Sequence, residues 1–283
     1  MDVVVAHNRA ELVKARGEGR LALVPTMGAL HEGHRSLIRT ARRLAPQVVV
    51  SIFVNPLQFG PGEDYSRYPR TFDADLEVCE AEGVGVVFAP AVEDMYHPDR
   101  QVGVSAGEMG TIVEGAVRPG HFDGMLTVVL KLFNLVRPDV AVFGQKDAQQ
   151  LALIRRMVAD LDVPVEVVGE PTVREPDGLA LSSRNRYLSA GDRVTALALS
   201  RALRAGQEQA ALPGATPTLI RGAARTVLDA GAPGLALDYL ALVDPATFAE
   251  VGDDHRGEAV LAVAARVGGT RLIDNVMLEL DPS

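Results

Sequence analysis

Val24-Pro25-Thr26-Met27-Gly28-Ala29-Leu30-His31-Glu32-Gly33-His34 sets the architecture of this chain. An apolar run, residues 21–24, stops at a proline. A short segment with a glycine follows, then two histidines three residues apart. Beyond them Leu37, Ile38, Ala41 and Leu44 recur at helical spacing. Strand, tight loop, then a helix with histidines in its first turn is an arrangement that holds phosphates. The N–H groups of a helix start and its positive dipole end attract anions, and the histidines add donors. His31 and His34 share a helix face with Ile38 and Ala41, so that face points inward. Spacing alone admits three readings of the pair: phosphate contact, two rings packed under a loop, or a metal pair lacking an evident third ligand.

The chain has 283 residues, room for one large domain or two medium ones. Aromatics make up 5% and Trp is absent, so Val, Ala and Leu must do the packing. Buried parallel sheets under Ala-rich helices are built that way. The net charge of −9 argues against a nucleic-acid partner, whose phosphate backbone calls for a basic surface. It leaves room for one small anionic ligand in a local cluster. The single cysteine, Cys79, excludes an intrachain disulfide and a Cys-based zinc site, and it reads as a small buried residue on a helix. No apolar run approaches the roughly 20 residues of a membrane span. Met1-Asp2-Val3 lacks the basic and apolar regions of a leader. The expectation is a cytoplasmic protein with no membrane partner.

Apolar, β-branched runs at 21–25, 48–54, 84–89, 140–143 and 163–168 read as buried strands. Helical patterns lie between them at 31–44, 72–82, 125–136 and 148–161. Strand alternating with helix implies right-handed crossovers and a parallel sheet with helices on both faces, an α/β fold. Ligands then sit beyond the carboxyl ends of strands, so the loops after Val24, Val54 and Phe143 should face one cleft. After about Val173 the texture changes. Ala- and Arg-rich helices at 189–211 and 218–230 are broken by Leu212-Pro213-Gly214, and strands at 237–243, 259–267 and 271–280 follow. These predict a smaller C-terminal α+β domain. The expected domains are 1–172 and 173–283, the second closing over the site.

Five further segments carry possible chemistry. In Asn55-Pro56-Leu57-Gln58 the proline ends a strand, and the two amides either orient a polar substrate or cap a turn. Arg118-Pro119-Gly120-His121 opens another anion-ready helix start. Gly144-Gln145-Lys146-Asp147 does so a third time: Lys146 suits phosphate, and Asp147 suits either Mg²⁺ or a helix cap. Leu181-Ser182-Ser183-Arg184 combines hydroxyls and a guanidinium, fit for a polyphosphate or for a Ser-capped turn. Asp64-Tyr65-Ser66-Arg67-Tyr68-Pro69-Arg70 either covers a site or is solvated surface. No GxxxxGK[ST] motif and no GxGxxG fingerprint is present, which argues against a P-loop protein and a NAD-dependent dehydrogenase.

Taken in order, these segments resemble the pantothenate synthetase (pantoate–β-alanine ligase) family. Residues 25–34 look like its HxGH nucleotide-binding signature, and the likeness runs through Phe53-Val54-Asn55-Pro56-Leu57-Gln58-Phe59, Tyr68-Pro69-Arg70, Arg118-Pro119-Gly120-His121-Phe122, residues 144–150 and Ser182-Ser183-Arg184-Asn185. HxGH alone is shared by many nucleotidylyltransferases; the ordered set is specific. The resemblance implies a Rossmann-like ATP- and pantoate-binding domain and a homodimer. Pantoate, β-alanine and ATP would be the substrates, with Mg²⁺ as cofactor. It implies that Met27, Gly28, Ala29, Leu30, His31, Glu32, Gly33 and His34 contact ATP, joined by Gly144, Gln145, Lys146, Asp147, Val173, Leu181, Ser182, Ser183 and Arg184. His34, His31, Lys146 and Arg184 would be catalytic. Gln58 and Gln150, with Asn55, Arg118 and His121, would serve pantoate and β-alanine, and Asp147 the Mg²⁺. Two departures stand out: Gln145 where the family usually has Glu, and Leu181 where it often has Met, a swap that conserves volume. The rival readings are a nucleotidylyltransferase acting on a phosphate and a non-catalytic nucleotide-binding module.

Overall fold

The computed structural model describes residues 3–231 and 234–280; Met1 and Asp2, part of the leader reading, lie outside them. In chain order the elements begin β1 (Val4–Ala6), α1 (Arg9–Ala15), β2 (Leu21–Thr26), α2 (Glu32–Leu44), β3 (Gln47–Ile52), α3 (Phe72–Ala81) and β4 (Val86–Phe88). They continue with α4 (Val92–Met95), α5 (Glu114–Val117), α6 (His121–Val136), β5 (Val140–Gly144), α7 (Ala148–Asp160) and β6 (Glu166–Glu170). The last are α8 (Ala190–Ala210), α9 (Pro217–Gly231), β7 (Leu235–Val243), β8 (Gly257–Val267) and β9 (Thr270–Leu280).

Six parallel strands stand in the order β1-β4-β3-β2-β5-β6. From β2 the chain steps outward to β3 and β4, then returns past β2 to β5 and β6. The reversal between β2 and β5 is a topological switch point, where loops leaving the carboxyl ends part and open a crevice. Side chains alternate across the sheet. Val24, Val50, Val87 and Val142 face Leu37, Ile38 and Ala41 of α2 and Cys79 of α3. On the other face Phe143 meets Phe133 of α6, with ring centroids 6.3 Å apart. Each of the Val, Leu, Ile and Phe side chains among them contributes about 1.5–3 kcal/mol when fully buried.

Three carboxylates fix α2 beneath its own loop. Glu170, at the end of β6, accepts from Ser36 Oγ and Thr40 Oγ1, each at 2.7 Å. Glu82, just past α3, accepts from Arg35 and Arg39. Asp75 holds the turn before α2, as described below. These contacts set where the histidine pair stands at the switch point.

The parallel α/β sheet with helices on both faces, and the small three-stranded sheet, are as the sequence leads one to expect. Details differ. β2 runs one residue past Pro25 instead of stopping there. Thr26 accepts from the Phe53 N–H on the β3 side, so Pro25 turns its nitrogen to the other side. Pairing with β5 has already ended there at Leu23, and the missing N–H costs no ladder bond. β1 and α1 escape the sequence reading. A three-residue strand has too little periodicity to detect, but Asn8 and Glu11 carry a cap signal: the Asn8 side chain accepts from the Glu11 N–H.

Two compact units emerge. One comprises Met1–Gly110, Arg118–Gln145 and Leu153–Pro171; the other comprises Thr111–Val117, Lys146–Ala152 and Thr172–Ser283. A single cut at 172/173 therefore misses two early segments that belong with the later strands. Their attachment is polar: Arg271 grips Glu114 and Asn275 holds the Lys146 carbonyl. In this second unit β7-β8-β9 form an antiparallel sheet, and Leu199, Leu203 and Ile220 of α8 and α9 pack on Leu242, Leu261 and Val263.

Burial, with the Asp75 carboxylate nearby, pushes the Cys79 thiol up to about 12, and the residue is fully buried. Cys79 should therefore resist a thiol reagent at pH 8 in the folded protein and react once guanidinium unfolds it. Rapid labelling of the native state would contradict this placement.

Candidate active site

The turn after β2 is built from two left-handed residues, Gly28 (φ +82°) and Ala29 (φ +51°). This conformation aims the N–H groups of Ala29 and Leu30 at Asp75 of α3, at 2.9 and 2.7 Å. Thr71 Oγ1 donates to the same carboxylate at 3.2 Å. Asp75 is 2% exposed. A Cβ on residue 28 would stand 2.9 Å from Asp75 Oδ2 and 3.1 Å from Ile52 Cγ2, so only glycine fits.

His31 is the N-cap of α2, one position before the helix proper. Its Nδ1 accepts from the Gly33 N–H, and Nδ1 of His34 accepts from the His31 N–H, both at 3.2 Å. The two rings form a reciprocal capping box with centroids 4.1 Å apart. An Nδ1 that accepts an amide proton carries none, so each neutral ring bears its hydrogen on Nε2. Among the described residues no group of three or more His, Cys, Asp or Glu could hold a metal ion. The metal reading of the pair therefore gains no third ligand among them.

In the same unit Gln58 lies buried at the end of the 3-10 turn Pro56–Gln58. Its Oε1 accepts from Asn55 Nδ2 at 3.0 Å, and its Nε2 lies 3.3 Å from Met27 Sδ. Asn55 is held in turn: it donates to the Gly124 carbonyl and accepts from the Tyr96 hydroxyl and the Leu57 N–H. The Gln58 carbonyl accepts from Arg118 and lies 2.7 Å from the His121 ring. The Arg118 guanidinium also forks onto Glu63, at 2.8 and 2.6 Å. Burial pushes the Glu63 carboxyl up, but Arg118 outweighs it and holds it below the usual carboxylate range. Asn55, Arg118 and His121, expected as substrate contacts, are thus bonded to the loop that carries Gln58.

Most of the other candidates fall in the second unit. Lys146 and Asp147 lie in the 3-10 turn that leads into α7, with Nζ 4.0 Å from Asp147 Oδ2. Gln149, beside the candidate Gln150, accepts from the Glu114 N–H and donates to the Ile112 carbonyl. Leu181 N–H donates to the Val173 carbonyl, closing a hairpin bridged at Arg174 and Ala180. Ser182 caps the turn Ser183–Tyr187 by accepting from the Arg184 N–H, and Ser183 is buried. In the first unit Gly144 ends β5, and Gln145 follows it.

Sequence reasoning missed Asp75, Tyr96, Glu63 and Asn275. Asp75 alone left a signal: it lies one helical turn from Thr71 and from Cys79, on the buried side of α3.

A nucleotide-binding enzyme of the HxGH kind is the class that this sheet, its switch point and its histidine-capped helix define. The model of the pantoate-beta-alanine ligase family matches residues 3–277, and the chain belongs to that family. Pantothenate synthetase from Thermobifida fusca is 63% identical over 98% of this chain and 96% of its own length. The crystal structure of pantothenate synthetase from Thermus thermophilus superposes with a TM-score of 0.94 at 49% identity, covering 99% of this chain and 100% of that one. The Francisella tularensis pantoate-beta-alanine ligase, complexed with beta-gamma ATP and beta-alanine, gives a TM-score of 0.79 at 33% identity over 97% of each chain.

Gly124 sits where α6 crosses the Gln58 turn; a Cβ there would strike the Leu57 carbonyl and the Gln58 nitrogen. Gly124→Ala should cost about 1–3 kcal/mol of stability, the usual penalty of overpacking. A thermal midpoint equal to wild type would show that the turn yields freely.

Proposed function

We propose that the chain condenses pantoate with β-alanine using ATP, giving pantothenate, AMP and diphosphate in the cytoplasm. The observation that carries this reading is the Gln58–Met27 contact. The amide assigned to pantoate touches the first residue of the turn assigned to ATP, so both half-sites share a wall. Family membership and the likeness to a ligase complexed with beta-gamma ATP and beta-alanine support it.

In the first step a pantoate carboxylate oxygen attacks the α-phosphorus of ATP. The bond to the bridging oxygen breaks, and diphosphate leaves. In the second, the β-alanine amine attacks the acyl carbon of pantoyl adenylate, loses a proton, and AMP departs. The difficulty of the first step is an anion approaching a polyanion, so charge must be neutralised and the reactants aligned. His31 and His34 offer Nε2–H donors at a helix start, and Lys146 and Arg184 supply positive charge. No proton need move in adenylation, which suits a neutral His34 acting as a transition-state donor. Gln58 and Gln150 orient pantoate. Asn55, Arg118, His121 and Tyr96 keep Gln58 in place.

Mg²⁺ commonly rides on nucleotide phosphates and takes only one or two protein carboxylates. Asp147, half-exposed just before α7, fits such a role. A Mg²⁺ bound there would neutralise phosphate charge.

AMP release measured with each substrate omitted in turn tests the reaction: it should require pantoate, β-alanine and ATP together. AMP formed without pantoate would point instead to another nucleotidylyl transfer. His34→Ala should slow diphosphate release at least about 10²-fold, the scale of losing one oxyanion-type donor. Near-normal release would remove His34 from the chemistry. Gln58→Ala should raise the KM for pantoate.

A homodimer belongs to the same reading, and the family resemblance supports it. Light scattering should give twice the 30.1 kDa chain mass; a single-chain mass at micromolar concentration would refute it.

A further inference from the structure

We propose that Asn275, on β9, is a positioning residue for Lys146, an inference that rests on Lys146 being the lysine that meets the ATP phosphates. Asn275 Nδ2 donates to the Lys146 carbonyl at 2.8 Å. That carbonyl belongs to the 3-10 turn Gln145–Asp147, which sets the direction in which the lysine side chain leaves. A lysine has a flexible four-carbon stem, so it reaches a phosphate reproducibly only if its backbone is fixed.

Asn275 is itself pinned. It is 7% exposed. Its N–H donates to Asp274 Oδ1 at 2.8 Å, and its carbonyl accepts from Arg174 at 3.2 Å. Arg174 forks onto the Asp274 carboxylate at 2.6 and 2.9 Å. Among the described residues β9 pairs only with β8, so its outer edge would otherwise present unpaired backbone. At Asn275 that edge is closed by Arg174 and Asp274. Arg174 also donates to the Gly178 carbonyl, within the hairpin that runs into Leu181, Ser182, Ser183 and Arg184. One point on β9 thus holds two arms: the turn bearing Lys146 and the hairpin leading to the candidate phosphate loop. An asparagine serves because its amide donates outward while its backbone stays in the strand. A charged Asp at 275 would set a carboxylate oxygen against the Lys146 carbonyl.

Steady-state kinetics with varied ATP test the proposal. Asn275→Ala should lower kcat/KM for ATP about tenfold, the loss of one well-placed buried hydrogen bond and the misdirection that follows. The KM for β-alanine should change less than about twofold. Asn275→Asp, nearly the same size and thus able to keep the packing, should lose at least as much. In the Lys146→Ala background, Asn275→Ala should change kcat/KM for ATP less than about twofold, because the group it positions is gone. Equal losses in both backgrounds, or wild-type kcat/KM in the Asn275 variants, overturn the positioning role. Unchanged ATP kinetics in Lys146→Ala alone would instead refute the phosphate role of Lys146 and take this inference with it.

Discussion

The Asp75 carboxylate holds the turn between β2 and the histidine-capped α2 together. Two left-handed residues in succession leave backbone N–H groups pointing inward, and a buried amide without a partner costs about 1–3 kcal/mol. Asp75 accepts both, from Ala29 and Leu30. The carboxylate in turn tolerates burial because three donors surround it. The turn can therefore bend sharply out of β2 and deliver α2 to the crevice with its N-terminus leading. The histidines then complete the helix start, each capping a backbone group with Nδ1 and carrying its hydrogen on Nε2.

The Gln58 turn follows a similar pattern, in which most polar groups serve one another. Asn55 meets four partners, and Arg118 binds Glu63, the Gln58 carbonyl and His121. Such bonding fixes one amide, that of Gln58, in one orientation. A preorganised amide orients a carboxylate substrate without first losing its own rotamer entropy. Asn55, Arg118 and His121 thereby hold the loop that carries Gln58.

The second unit shows what buried charge accomplishes. Glu114 is 6% exposed and takes both terminal nitrogens of Arg271, whose Nε donates to Asp238. Tyr239 donates to the same Glu114 carboxylate, and burial, with Glu114 beside it, pushes its phenol well above the usual range. Pairs of this kind add little net stability, since desolvation offsets the attraction. Their effect is placement. They tie residues 111–117, and through Gln149 residues 146–152, to strands far later in the chain.

Local sequence patterns suffice for the sheet, the helices and the order of the candidate phosphate-binding segments. Those features arise from periodicity, from proline and glycine, and from helix starts, all written within a few residues of one another. The same patterns tell which residue types stand in the loops after Val24, Val54 and Phe143. What each polar side chain bonds to emerges only on folding. Asp75, Tyr96, Glu63 and Asn275 act on residues 41 to 129 positions away, beyond the reach of any local pattern. The same limit hid the two early segments of the second unit, because hydrogen bonds to its later strands and not chain proximity assign them there. Spacing reveals which face a residue occupies; a partner brought from a distant element decides whether it binds a ligand or holds the residue that does.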